Sequence, residues 1–214
     1  TFSIPVYKSH RSHSAPDWVY KNTLRNAKYA SLVGDGNGVN NAYGGIPFPL
    51  AKDGLEAVWN HILRWRGQYY VSQSSEATVQ RNGNYSLIES HVEVLFNYYT
   101  AGSKDNINNT IFYLMAFTRS PARLAGGAIL IHETLNQSKE HGGALRSSWG
   151  YNSGQRRVRR APNLAFDSPV PVANGLHTSD DFDMYNGSTK RFNWKLVGRK
   201  EVYIPYNNYL LGSN

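Results

Sequence analysis

Cysteine is absent from the 214 residues, which excludes disulfides, cysteine-ligated zinc, iron–sulfur clusters and thiol nucleophiles together. Such a chain loses nothing in an oxidising compartment. Charge is also sparse, at 18% Asp, Glu, Lys and Arg, so surface polarity must come from Asn, Ser, Gly and Tyr. No stretch reaches the roughly 18 apolar residues of a membrane span, so no transmembrane segment is expected. The opening TFSIPVY carries no initiator Met, n-region or h-region, and the expectation is a mature chain or an excised domain.

Several chemical motifs come close and fail. His132 begins an H-E-x-x-H pattern, but Asn136 stands where the second His is needed, and the segment reads as a strand. Gly34 to Val39, GDGNGV, lacks the third glycine of a dinucleotide fingerprint. It fails as a calcium loop because Val39 occupies an oxygen-ligand position. No G-x-S-x-G elbow or P-loop occurs,. His10 and His13 have metal-like spacing, yet Pro16 puts them in a polar lead-in to a helix. Asp180, Asp181 and Asp183 read as caps of a turn after Thr178 or Ser179 before they read as a cation site. His61 lacks a sequence-evident nucleophile or orienting partner. No metal, cofactor or catalytic residue is expected, and the chain is not read as an enzyme.

What is present points to pleated sheet. Aromatics make up 13%, with 15 tyrosines, a bias that suits strands. Before the strands come two helices. Ser14 and Asp17 form a capping box with Pro16 in the first turn, opening a helix over residues 14–33,. A glycine- and asparagine-rich loop follows, then YGGIPFPLAKDGLEAVWNHILRWRG, Tyr43 to Gly67. Gly44 and Gly45 permit a turn, and Pro47 and Pro49 direct the chain into a second helix. Asp53 and Glu56 make a second capping box; Leu55, Val58, Trp59 and Ile62 share one apolar face; Gly67 is placed to end the helix,.

From Gln68 the period falls to two. Two alternating runs flank Asn82-Gly83, a strong hairpin signal,. In the second run Ile88, Val92, Val94, Phe96 and Tyr98 share one face, with Glu89, His91, Glu93 and Asn97 on a wet one,. Ile111 to Phe117 is apolar on both faces and predicts a central strand covered on both sides. AGGAILIHETL and LRSSWGYN continue the meander, and QRRVRR pairs back across Asn152–Gly154. After a proline-containing loop, KRFNWKLVGRKEVYIPYN alternates again. The pattern is α+β in one domain over residues 1–214. Its most economical form is a strongly curved antiparallel sheet or part barrel, with the tryptophan-bearing helix in the concavity.

The net charge is +8, much of it in GQRRVRRAP. As a strand, this run puts Arg157 and Arg159 on one face and Arg156, Val158 and Arg160 on the other. A solvated edge strand is the first reading, an anionic lipid or partner gripped by Arg157 and Arg159 the second. Nucleic acid is the least favoured partner.

Tyr43 to Gly67, WGYNSGQRRVRRAPNLAFDSP, HTSDDFDMYNG and FNWKLVGRKEVYIPYN together resemble the bacterial domain-of-unknown-function family 1329, labelled outer-membrane lipoprotein-sorting-protein-like. Members are generally longer, so the chain reads as an internal portion. The resemblance implies a periplasmic location, possibly with outer-membrane association. It also implies a half-open antiparallel barrel of lipoprotein-carrier kind, plugged by helices. It brings no ligand or catalytic residue. The expected function is a periplasmic carrier or binding protein for a lipid or other hydrophobic molecule. Its expected lining is Trp59, Leu63, Val94, Phe96, Met115, Phe117 and Trp194. The alternative is a non-enzymatic scaffold docking to an outer-membrane or transporter partner through the basic strand. The second helix is read as a plug, with an ordinary core helix as the other possibility.

Overall fold

The computed structural model describes residues 3–10, 13–161, 166–170, 173 and 175–206. Helix α1, Asp17–Tyr29, starts later than the capping box requires: Pro16 is its N-cap and no side chain caps it. Ser14 lies two residues outside, and the extended backbone at Pro16 replaces the box. The helix also stops before residue 31, because Ser31–Val33 (β1) pairs with Gly38–Asn40 (β2). The glycine-rich loop is therefore a small hairpin, turning through Gly34, Asp35 and Gly36, all at positive φ.

Helix α2, Gly54–Ile62, keeps its cap. Asp53 Oδ1 accepts from the Glu56 N–H at 2.9 Å, and Glu56 Oε2 accepts from the Lys52 N–H at 2.6 Å. It ends well before Gly67. Arg64 donates to the His61 carbonyl and Arg66 to the Ile62 carbonyl, so side chains satisfy groups that a longer helix would have used.

Six strands follow in chain order, each antiparallel to the next: β3 Tyr69–Val79, β4 Tyr85–Leu95, β5 Thr110–Ser120, β6 Ala128–Thr134, β7 Arg146–Asn152 and β8 Arg157–Arg160. The Asn82-Gly83 turn joins β3 to β4, with Gly83 at φ +85°. The fold is α+β, and the sheet is open, with β3 and β8 at its edges. Strand β4 stops at Leu95, so Phe96 and Tyr98 are not strand residues; a short helix α3, Asn97–Thr100, takes over. No strand forms over residues 192–206. A 3-10 turn at Thr189–Arg191 leads into that stretch, and its Phe192 and Trp194 rings pack on Tyr185 rather than on a sheet edge. Of the loop after β8, residues 162–165, 171, 172 and 174 lie outside the described residues.

The core gathers at one end of the sheet. Trp59, Ile62 and Leu63 meet Val94, Phe96, Ile111, Phe112 and Leu135 there, with Val19 of α1 and Tyr98 and Tyr99 of α3. The turn before α2 is locked by α1: Asn26, wholly buried, takes the Tyr43 N–H on its Oδ1 and donates to the Tyr43 and Gly45 carbonyls. At Gly45 a Cβ would stand 2.6 Å from the backbone nitrogen of Thr23, so no larger residue fits the contact. Strand β5 is interior, as expected, but buried on both faces only at Ile111 and Phe112. Met115 is 39% and Phe117 37% exposed, because they face away from Val94 and the core.

Candidate functional site

Register separates the expected lining into two sets. Val94 pairs with Leu114, whereas Met115 pairs with Glu93 and Phe117 with His91. Partners directly opposite share a face, so Met115 and Phe117 point away from Val94. Trp59, Leu63, Val94 and Phe96 are buried together in the core, and Trp194 is half-buried against it. Val94 and Phe96, with Arg66, Tyr70, Phe112 and Leu114, border a space of about 10 Å³, no more than a single water needs. Phe96 is ringed by Tyr70 and Phe112, each with its centroid 5.9 Å away, and the Arg66 guanidinium lies 4.9 Å above it. Helix α2 itself buries Val58, Trp59 and Ile62 in the core.

The room is on the other face. There Tyr113, His132 and Trp149 form an aromatic row across β5, β6 and β7, with centroids 4.7 and 4.8 Å apart. Beside it Met115 stands opposite Leu130, Leu130 opposite Trp149, and Tyr151 opposite Val158. These side chains line a groove of about 420 Å³. Burial pushes His132 below its ordinary value, so the groove floor is neutral at pH 7. Tyr69, Val71, Leu87 and Leu95 carry the exposed apolar surface onward across β3 and β4. The wet side chains expected on this face are present: His91 Nε2 lies 2.9 Å from Glu93 Oε1, and Tyr69 donates to Glu93 Oε2 at 2.9 Å. His91 and Tyr69 together hold the Glu93 carboxyl below its usual range.

At the sheet edge all four residues of β8 are exposed. Arg160 lies opposite Trp149 on the groove face; Arg157 and Arg159 lie opposite Asn152 and Gly150 on the other. Among the described residues, no ion pair reaches any of the three.

The opposite face carries the loop that includes Ser179 and Asn186. Arg146 of β7 anchors it: Nε stands 3.0 Å from Glu133 Oε2, while Nη2 donates to the Asn186 carbonyl at 2.6 Å and Nη1 to the Ser179 carbonyl at 3.3 Å. The acidic run folds as caps in part. Asp180 and Asp181 accept from the Thr178 hydroxyl and N–H. Asp183 instead bridges Arg64 and Arg66, and its carbonyl sits 2.9 Å from His61 Nε2. Burial, with Arg64 beside it, pushes His61 below its ordinary value; the neutral ring with its proton on Nε2 fits that contact. Among the described residues no group of three or more His, Asp and Glu could hold a metal ion. His10 and His13 are exposed, the former edge-on to Tyr206.

A family model described as "Protein of unknown function (DUF1329)" matches residues 1–214. The chain belongs to the DUF1329 family. This DUF1329 chain is 48% identical over 214 residues to the uncharacterized protein PA3922 of Pseudomonas aeruginosa. The match covers 99% of the chain and 46% of that relative, so the chain spans less than half the relative's length. A Vibrio parahaemolyticus domain named for outer-membrane lipoprotein sorting superposes with a TM-score of 0.40 at 14% identity, covering 58% of this chain and 48% of its own. A DUF1329 protein from Desulfovibrio piger gives 0.39 at 18% identity, covering 63% and 53%. Likenesses at these scores are loose, and membership of the DUF1329 family rests on the sequence match.

The groove escaped sequence reading because both alternating sets in β5 are apolar. Nothing local says which set faces the helices; only the pairing register does. Its trace in the sequence is the parity of Leu130, His132, Trp149 and Tyr151, visible once the strands are aligned.

Proposed function

We propose that the DUF1329 chain binds a lipid or other hydrophobic molecule in the groove between β5 and β8. It would act as a non-catalytic carrier in the periplasm, near the outer membrane. In this reading the six strands form the wall of a half-open barrel of lipoprotein-carrier kind. The observation that carries the proposal is an apolar groove of about 420 Å³ on an exposed sheet face, within the ~300–1,000 Å³ of small-molecule sites. Solvent-facing strand residues are ordinarily polar. The described helices include none long and apolar enough to cross a membrane, and the lack of cysteine suits an oxidising compartment,.

The test is titration with the apolar fluorophore N-phenylnaphthylamine, alongside mass spectrometry of organic extracts of the purified chain. Met115→Asp, at an exposed position, should leave the fold intact and weaken the probe by at least about tenfold, roughly 1.4 kcal/mol. Equal binding by both proteins, with empty extracts, would refute the reading. Cell fractionation tests the compartment.

The lowered pKa of His132 adds a pH dependence. Only the neutral ring suits an apolar ligand, so affinity for uncharged decanol should be full at pH 7 and fall towards pH 5 as the ring protonates. His132→Phe should flatten that profile. Unchanged pH dependence in the variant would assign the effect elsewhere.

A second reading rests on β8, where Arg157 and Arg159 are exposed on the face away from the groove. They would dock an acidic outer-membrane or transporter partner. Arg157→Glu with Arg159→Glu should then abolish partner capture while leaving the fluorophore bound.

A further inference from the structure

Resting on that reading, we infer that the groove takes a single-chain amphiphile with a carboxylate head, and that Arg160 holds the head. The apolar lining runs from Met115 on β5 to Val158 on β8, three strand spacings or about 14 Å. Its volume of about 420 Å³ is that of roughly fourteen water-sized units. A methylene fills nearly the same space, so the groove matches one alkyl chain of about a dozen carbons.

Charge selects the head. Arg160 stands opposite Trp149, one of the lining side chains, and two residues along β8 from Val158, another. Being exposed on the edge strand, its guanidinium can reach the end of a chain lying across β7 and β8. A guanidinium fork fits a carboxylate through two parallel N–H···O bonds. The strand carboxylates elsewhere are placed not to compete. Glu89 and Glu93 share this face but lie on β4, four strand spacings or about 19 Å from β8, and Glu93 is engaged by His91 and Tyr69. Glu76 belongs to the other face, by its pairing with Ile88, and Glu133 is buried against Arg146. Trp149 and Tyr151, apolar bodies with polar edges, stand where tail meets head.

The experiment is calorimetric titration of the chain at pH 7.5 with decanoate, decanol and decyltrimethylammonium, all below their micelle concentrations. Decanoate should bind at least tenfold more tightly than decanol, and the cation most weakly. Arg160→Ala should erase the preference for decanoate while leaving decanol unchanged, and Arg160→Lys should restore part of it. Arg157→Ala, on the far face, should change none of the three. Equal affinities for decanoate and decanol, or an Arg160→Ala protein that still prefers decanoate, would overturn the inference while the apolar site stands. Failure of all three compounds to bind would remove the site and the inference together. Light scattering on the same samples covers the other occupant: a dimer that excludes decanol would give the face to a second copy and overturn the proposal.

Discussion

Trp59→Ala should lower stability by about 3–5 kcal/mol, the range for removing a buried Trp or Phe. The side chain is 1% exposed and is among the largest fully buried ones. Its Nε1–H donates to the Gly36 carbonyl at 2.9 Å. That carbonyl also accepts from the Thr189 hydroxyl at 2.8 Å, so the acceptor keeps a partner and the loss is chiefly cavity. Against a total of roughly 5–15 kcal/mol for a typical protein, this is a large share. Urea unfolding should show the midpoint shifted down by about 2 M at an unchanged slope, taking m near 2 kcal/mol/M. Where the variant remains folded, its affinity for decanol should match that of the parent, since the groove lies on the opposite face of the sheet. A plug would behave in the reverse way, with small loss of stability and large loss of binding. A midpoint shift worth less than about 1 kcal/mol would show that α2 does not hold the core.

Arg146→Met should be comparably damaging, by about 3–5 kcal/mol, because it strips a buried carboxylate of its partner. Arg146 and Glu133 are 3% and 4% exposed at their side chains, and the same guanidinium ties down the Ser179 and Asn186 carbonyls. Loss of these contacts should also release the loop that carries them, seen as faster proteolysis near Phe182, which is exposed. The pH dependence separates this mechanism from simple loss of packing. Burial raises Glu133 to about 7 against the pull of Arg146. Between its unfolded value, near 4.5, and 7, the folded chain holds more protons than the unfolded one. Stability from this group is therefore present below about 4.5 and declines as pH rises to 7. Without Arg146 the carboxyl rises further, so the decline should continue above pH 7 in Arg146→Met, by up to about 1.4 kcal/mol per pH unit. Adding Glu133→Gln should abolish that extra slope and recover part of the loss. Parallel pH profiles for parent and Arg146→Met would show that the pair is not coupled as described.

The contrast between α2 and β5 shows how much was legible. For α2 the signals were local and redundant: a capping box, an apolar stripe at helical spacing, and glycine and proline before it. Cap and buried face survive folding. The far end did not follow Gly67, because Arg64 and Arg66 reach back from the next turn, a side-chain event with no sequence signature. At α1 the Ser14 box competed with Pro16 and lost. Strand-like alternation over residues 192–206 formed no strand there, and Phe192 and Trp194 pack on Tyr185 instead.

The sequence by itself determined the α+β class, the Asn82-Gly83 hairpin, the order of six antiparallel strands and family membership, because turn chemistry and side-chain period act over a few neighbours. Tertiary structure alone decided which face of β5 is core and which is open. It also directed Asp183 to arginines and set Arg160, not Arg157 and Arg159, beside the groove. These depend on strand register, where a shift of one residue exchanges the two faces, and register is settled only when distant strands meet around a shared core.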